Sequence, residues 1–119
     1  MLTASCHCGN IKLKVESLPE TVTSCNCSVC HRLGAEWAYY QPAEVNITHA
    51  KLPTKTYAWG DQCIDFHHCP NCGCATHYTT TEKCDSERIA INSRMFDYEL
   101  IRDILVRKFD GAQSWKYID

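Results

Sequence analysis

Ten of the 119 residues are cysteine, and their placement constrains this chain more than any other feature. They fall as Cys6-x-Cys8, Cys25-x-Cys27-x-x-Cys30 and Cys69-x-x-Cys72-x-Cys74, with Cys63 and Cys84 standing apart. Such crowding fits either a disulfide framework or bound metal. Leucine, isoleucine, valine and phenylalanine together number only 23 residues, a supply that in a strongly charged chain would suggest disorder. A formal net charge of −2 provides no such repulsion. The chain therefore reads as one domain over residues 1–119, with a thin apolar core for which the cysteines compensate.

Several classes drop out on the same grounds. Met1-Leu2-Thr3-Ala4-Ser5 has neither the basic start nor the apolar run of a signal peptide. No stretch approaches the roughly 18 apolar residues of a membrane span. These features point to the cytoplasm, a reducing compartment where clustered cysteines bind metal more often than they pair. Five disulfides in a secreted domain is the reading they disfavour. Twelve basic against 14 acidic residues leave no electrostatic footprint for nucleic acid. The 38 residues between Cys30 and Cys69 also exceed the span of a usual zinc ribbon. Nothing in the chain indicates an oligomeric state.

The periodicity is mainly that of β-strands. Ile11, Leu13 and Val15 alternate with Lys12, Lys14 and Glu16, as a half-buried strand requires. Further strands are expected over Thr21–Ser24, leading to Cys25, and over Trp37–Tyr40, with weaker ones at Val45–Ile47 and Thr56–Trp59. Ile64–His68 runs into Cys69, Ala75–Thr80 returns antiparallel from the following turn, and Arg88–Asn92 and Val106–Phe109 are extended. Tyr98–Leu105 suits one or two helical turns. Trp37, Tyr39, Tyr40, Trp59 and Trp115 are expected in the core or a pocket wall.

Cys69-Pro70-Asn71-Cys72-Gly73 is the strongest local signal. Such a turn aims two thiolates at one ion, and the glycine takes the positive φ that the turn needs. Cys6-x-Cys8, also followed by glycine, is its natural complement, and four thiolates close a tetrahedron as in a structural zinc site. Cys25, Cys27 and Cys30 are close enough to share a second ion. Three ligands leave one position open, the mark of a catalytic zinc. His31 would close that site as Cys₃His, making both zincs structural. His67, His68 and His77 read as surface or satisfied core residues flanking the first site. No residue stands out as a general acid or base, His31 and His77 being the two that could be tried in that role. Cys63, Cys74 and Cys84 read as small buried hydrophobes or free thiols.

Taken in order, Cys6-His7-Cys8-Gly9, Cys25-x-Cys27-Ser28-x-Cys30 with Gly34 soon after, and Phe66-x-x-Cys69-x-x-Cys72-Gly73 resemble the glutathione-dependent formaldehyde-activating enzyme family, which also contains centromere protein V. Phe109–Trp115 looks like that family's closing segment. The resemblance implies a β-tent of antiparallel sheets around two zinc ions, structural at Cys6, Cys8, Cys69 and Cys72 and catalytic at Cys25, Cys27 and Cys30. It also implies addition of glutathione to formaldehyde, giving S-hydroxymethylglutathione, in a group commonly classed as carbon–sulfur lyases. The expected function is thus a zinc-dependent carbon–sulfur lyase acting on a thiol adduct, with glutathione and an aldehyde as partners. The alternative is a non-catalytic zinc module presenting a surface to a protein, since a fold is not tied to one role.

Overall fold

A computed structural model describes residues 1–119. Ten strands form two sheets. In the smaller, β1 (Leu2–Ser5) and β2 (Ile11–Val15) pair antiparallel, and β5 (Asn46–His49) pairs with the other edge of β2. The larger sheet also contains β3 (Thr21–Cys25), β4 (Trp37–Tyr40), β6 (Lys55–Tyr57), β7 (Ile64–His68), β8 (Ala75–Thr80), β9 (Ile89–Asn92) and β10 (Leu105–Phe109). Its seven strands run in the order β10-β3-β4-β9-β8-β7-β6. The mainly β reading is therefore correct, with one departure from antiparallel pairing: β10 lies parallel to β3, Phe109 opposite Cys25.

Alternation along the strands explains how so few large aliphatics suffice. Ile11, Leu13 and Val15 are buried, while Lys12 and Lys14 between them face water. They pack with Val22, Ala38, Ile89 and Ile91 into one apolar cluster. Trp37, Phe66, Tyr78 and Ala90 form a second cluster. The central strand β9 is buried throughout, and its residues alternate between the two clusters. Aromatic rings supply much of the second cluster: Trp37 and Tyr78 meet edge to face with centroids 5.0 Å apart.

Helix is confined to α1 (Ser28–Leu33), α2 (Tyr98–Ile101) and two 3-10 turns, Pro42–Glu44 and Ser93–Met95. The apolar spacing around Tyr98 announces α2. Strand β1 and helix α1 are not among the expected elements; α1, six residues long, spans less than two helical turns. Gly34, at φ 66°, ends α1, and its N–H bonds the Cys30 and His31 carbonyls. No helix is long and apolar enough to cross a membrane.

Candidate metal centres

The turn after β1 carries Cys6 and Cys8, and the turn after β7 carries Cys69 and Cys72. All four sulfurs lie within 4.8 Å of one another. The Cys6–Cys8 and Cys8–Cys69 sulfur separations are both 3.7 Å. A tetrahedral zinc with bonds of about 2.3 Å sets its sulfurs about 3.8 Å apart, so this donor set fits such an ion. Gly9 (φ 82°) and Gly73 (φ 80°) turn the chain in the left-handed region, where their N–H groups bond the Cys6 and Cys69 carbonyls. Around the thiols, the Ile11 N–H donates to the Cys6 sulfur at 3.2 Å and the Asn10 amide to that of Cys69 at 3.6 Å. Burial pushes the Cys6 thiol up to about 11. At Cys72 burial acts in the same direction, but the backbone N–H groups of Cys74 and Cys8 outweigh it and bring the thiol down to about 5.

The sulfurs of Cys25, Cys27 and Cys30 form the second cluster, again all within 4.8 Å. Period-two alternation along β3 places Val22 in the first apolar cluster and turns Thr23 and Cys25 the other way. Cys27 sits at the N-cap of α1, and Cys30 comes three residues later on the same side of the helix. Cys30 is buried, and its sulfur accepts a hydrogen bond from Trp37 Nε1 at 3.4 Å. Burial raises the Cys30 and Cys25 thiols. The Cys27 thiol is lowered despite its burial, because the backbone N–H and side chain of Cys30 face it. His31 is exposed and lies outside the cluster, so no Cys₃His site forms.

The two clusters differ in what surrounds them. Cys25, Cys27 and Cys30 line a cleft of about 920 Å³, whereas none of the other four does. Trp37, Tyr39, Trp59 and Trp115 also line this cleft, while Tyr40 is buried and donates from its hydroxyl to the Ser17 carbonyl. The chain beyond β10 closes one side. Asn26 donates to Asp110 at 3.0 Å and accepts from the Ala112 N–H at 3.0 Å, which brings Gly111 against Cys25. A β-carbon at Gly111 would come within 2.5 Å of the Cys25 sulfur. Nothing in the local sequence marks Gly111 as a neighbour of Cys25, since the two meet only through the parallel β3–β10 pairing.

Cys63 and Cys84 correct the expectation that they are free thiols: they form a disulfide, with Cα atoms 4.8 Å apart. The β7–β8 hairpin sets Ile64 opposite Thr80, and the Thr81 N–H bonds the Cys63 carbonyl. The chain past β8 thereby returns Cys84 to the start of β7, and both sulfurs' residues line the cleft. Cys74 is a half-buried free thiol. His67 and His77 stack with ring centroids 4.1 Å apart. His67 bonds the Thr54 and Thr79 hydroxyls at 2.7 and 2.8 Å, as a satisfied core histidine would. His77 is 1% exposed, bonds the Thr76 hydroxyl, and is held down to about 3 by burial with His67 beside it.

Comparison with known proteins gives a fold likeness and a family. A crystal structure of a Rhodobacter sphaeroides protein has the same fold, with a TM-score of 0.74 over 88% of this chain and 98% of that one, at 24% identity. No curated protein matches the chain. The model of one family, described as glutathione-dependent formaldehyde-activating enzyme, matches residues 1–105, which include all seven clustered thiols of the two candidate centres. The chain belongs to the glutathione-dependent formaldehyde-activating enzyme family.

Proposed function

We propose that the protein is a zinc-dependent carbon–sulfur lyase that joins a thiol, such as glutathione, to an aldehyde, such as formaldehyde, and reverses that addition. The observation that carries this reading is the contrast between a four-thiol cluster outside the cleft and a three-thiol cluster lining it. Four thiolates would hold a structural zinc with no position to spare, and Cys25, Cys27 and Cys30 would hold a second zinc with one position left for substrate. Zinc bound there would supply the positive charge that favours the thiolate form of an incoming thiol and polarises a carbonyl.

The chain's own groups have separate tasks. In the forward direction the thiol sulfur forms a bond to the carbonyl carbon while the carbon–oxygen π pair moves onto oxygen, which takes up the proton the thiol gave up. In reverse the carbon–sulfur bond breaks and the sulfur keeps its electron pair. Burial raises the Tyr39 and Tyr78 phenols, so both stay protonated at neutral pH and serve as donors to that oxygen rather than as bases. Trp37, Phe66 and Trp59 give the cleft an apolar wall beside the thiols. His77, turned to Thr76 and stacked on His67, has no part in proton transfer in this reading.

Metal analysis and turnover test the proposal together. Two zinc equivalents are expected, one readily removed by chelator and one retained until unfolding. The loaded protein should convert glutathione and ¹³C-formaldehyde to S-hydroxymethylglutathione faster than buffer alone, by NMR exchange. Two equally resistant zincs and no acceleration would instead support a non-catalytic module.

A further inference from the structure

Resting on the lyase reading, we infer that Arg88 is the specificity-determining anchor of the cleft and that the thiol substrate carries a carboxylate which this guanidinium receives. Arg88 and Asp61 are the two charged residues lining the cleft that holds Cys25, Cys27 and Cys30. Arg88 is not neutralised within the fold: the ion pairs of the molecule are Arg94–Glu36, Arg102–Asp103 and Arg107–Asp119. Asp61 is occupied locally, its carboxylate accepting from the Cys63 N–H at 3.0 Å.

Sheet register places the guanidinium on the cleft side of the sheet. Ala90 of β9 lies opposite Tyr39 of β4 on one side and Tyr78 of β8 on the other. Arg88 precedes Ala90 by two residues and so shares its face, and the methyl group of Ala90 leaves room above both rings. The guanidinium carbon sits 4.8 Å from the Tyr39 ring centre and 5.7 Å from that of Tyr78. Tyr78 in turn packs on Trp37, whose Nε1 holds the Cys30 sulfur. Tyr78 and Trp37 thus link the cation to the three-thiol cluster along one wall of the cleft. Lying over the tyrosine rings restrains the guanidinium, and no carboxylate of the chain pairs with its fork of N–H groups. A cationic group in the same cleft as the reacting sulfur would select thiols bearing a carboxylate and orient them there.

The test separates binding from chemistry. All three tryptophans, Trp37, Trp59 and Trp115, line the cleft, so their fluorescence reports occupancy. Zinc-loaded protein is titrated with S-methylglutathione, which cannot react, and with its dimethyl ester, in which both carboxylates are masked. The acid should bind about fivefold more tightly than the ester, the factor expected of one charge-assisted pair in an open cleft. Arg88→Met should raise the acid's Kd to that of the ester and leave the ester unchanged, and Arg88→Lys should fall between, because it keeps the charge but loses the fork. Equal binding of acid and ester by the native protein, retention of the preference in Arg88→Met, or failure of the acid to bind would each overturn the assignment. Acid-selective binding without turnover would remove the lyase reading and leave the anchor. Turnover without acid selectivity would do the reverse.

Discussion

At Gly111 the requirement is space. A methyl group there would come within 2.5 Å of the Cys25 sulfur and 3.5 Å of the Cys27 β-carbon, so one of the two segments must move. Gly111→Ala should weaken metal binding at Cys25, Cys27 and Cys30 by roughly ten- to a hundredfold, the usual cost of disturbing what supports a metal ligand. Competition with a chromophoric chelator would measure it, and unchanged affinity would show that the closing segment does not hold Cys25 in place. His77 offers a residue-scale test of stability against pH. Its value is about 3 in the folded chain and 6.5 as a free side chain, so unfolding takes up a proton between those values. Stability contributed by neutral His77 is complete above pH 6.5 and falls as the pH drops toward 3. His77→Gln should flatten the fall in unfolding free energy across that window, by up to about 1.4 kcal/mol per pH unit at its steepest. Parallel urea titrations of both proteins check this, and identical slopes would mean that His77 is protonated in the fold.

The β7–β8 hairpin carries more than its strand pairing. One end ends in Cys69 and Cys72, and the other is tied by Cys63–Cys84 across a sequence separation of 21. Closing a loop of that length restricts the unfolded chain, and replacing both cysteines by serine should cost about 3 kcal/mol on the loop-entropy model. Chemical denaturation of the zinc-loaded double variant measures the loss, and an unchanged midpoint would indicate that the unfolded chain gains nothing from opening. Helix α1 is the other decisive element. Six residues long, it turns Cys27 and Cys30 toward Cys25, with Gly34 as its stop.

Across the whole molecule, the four-thiol cluster joins the two sheets, because Cys6 and Cys8 follow a strand of the smaller and Cys69 and Cys72 follow a strand of the larger. A metal there would act as a staple between layers with few large aliphatics to hold them, and its binding free energy would be folding free energy. Cys69→Ser should therefore abolish the cooperative thermal transition seen by circular dichroism. Cys27→Ser should retain that transition and lose turnover. Unfolding of both variants would show that the division of labour between the centres is wrong.

Strand alternation from Ile11 to Val15, the direction in which Ala75–Thr80 returns, and the grouping of seven cysteines into four and three were all legible in the sequence. Each follows from spacing along a short stretch or from the four donors a tetrahedral site would need. The Cys63–Cys84 bridge, the contact of Gly111 with Cys25, and the position of Arg88 over Tyr39 and Tyr78 were not. These depend on which strands become neighbours and in what register, a choice made by burial of the whole sheet. The sequence by itself determined the grouping of the thiols and the mainly β architecture. Only the tertiary structure decided that one thiol cluster would join the sheets while the other opened on a cleft, because that difference depends on what packs around each cluster rather than on its own residues.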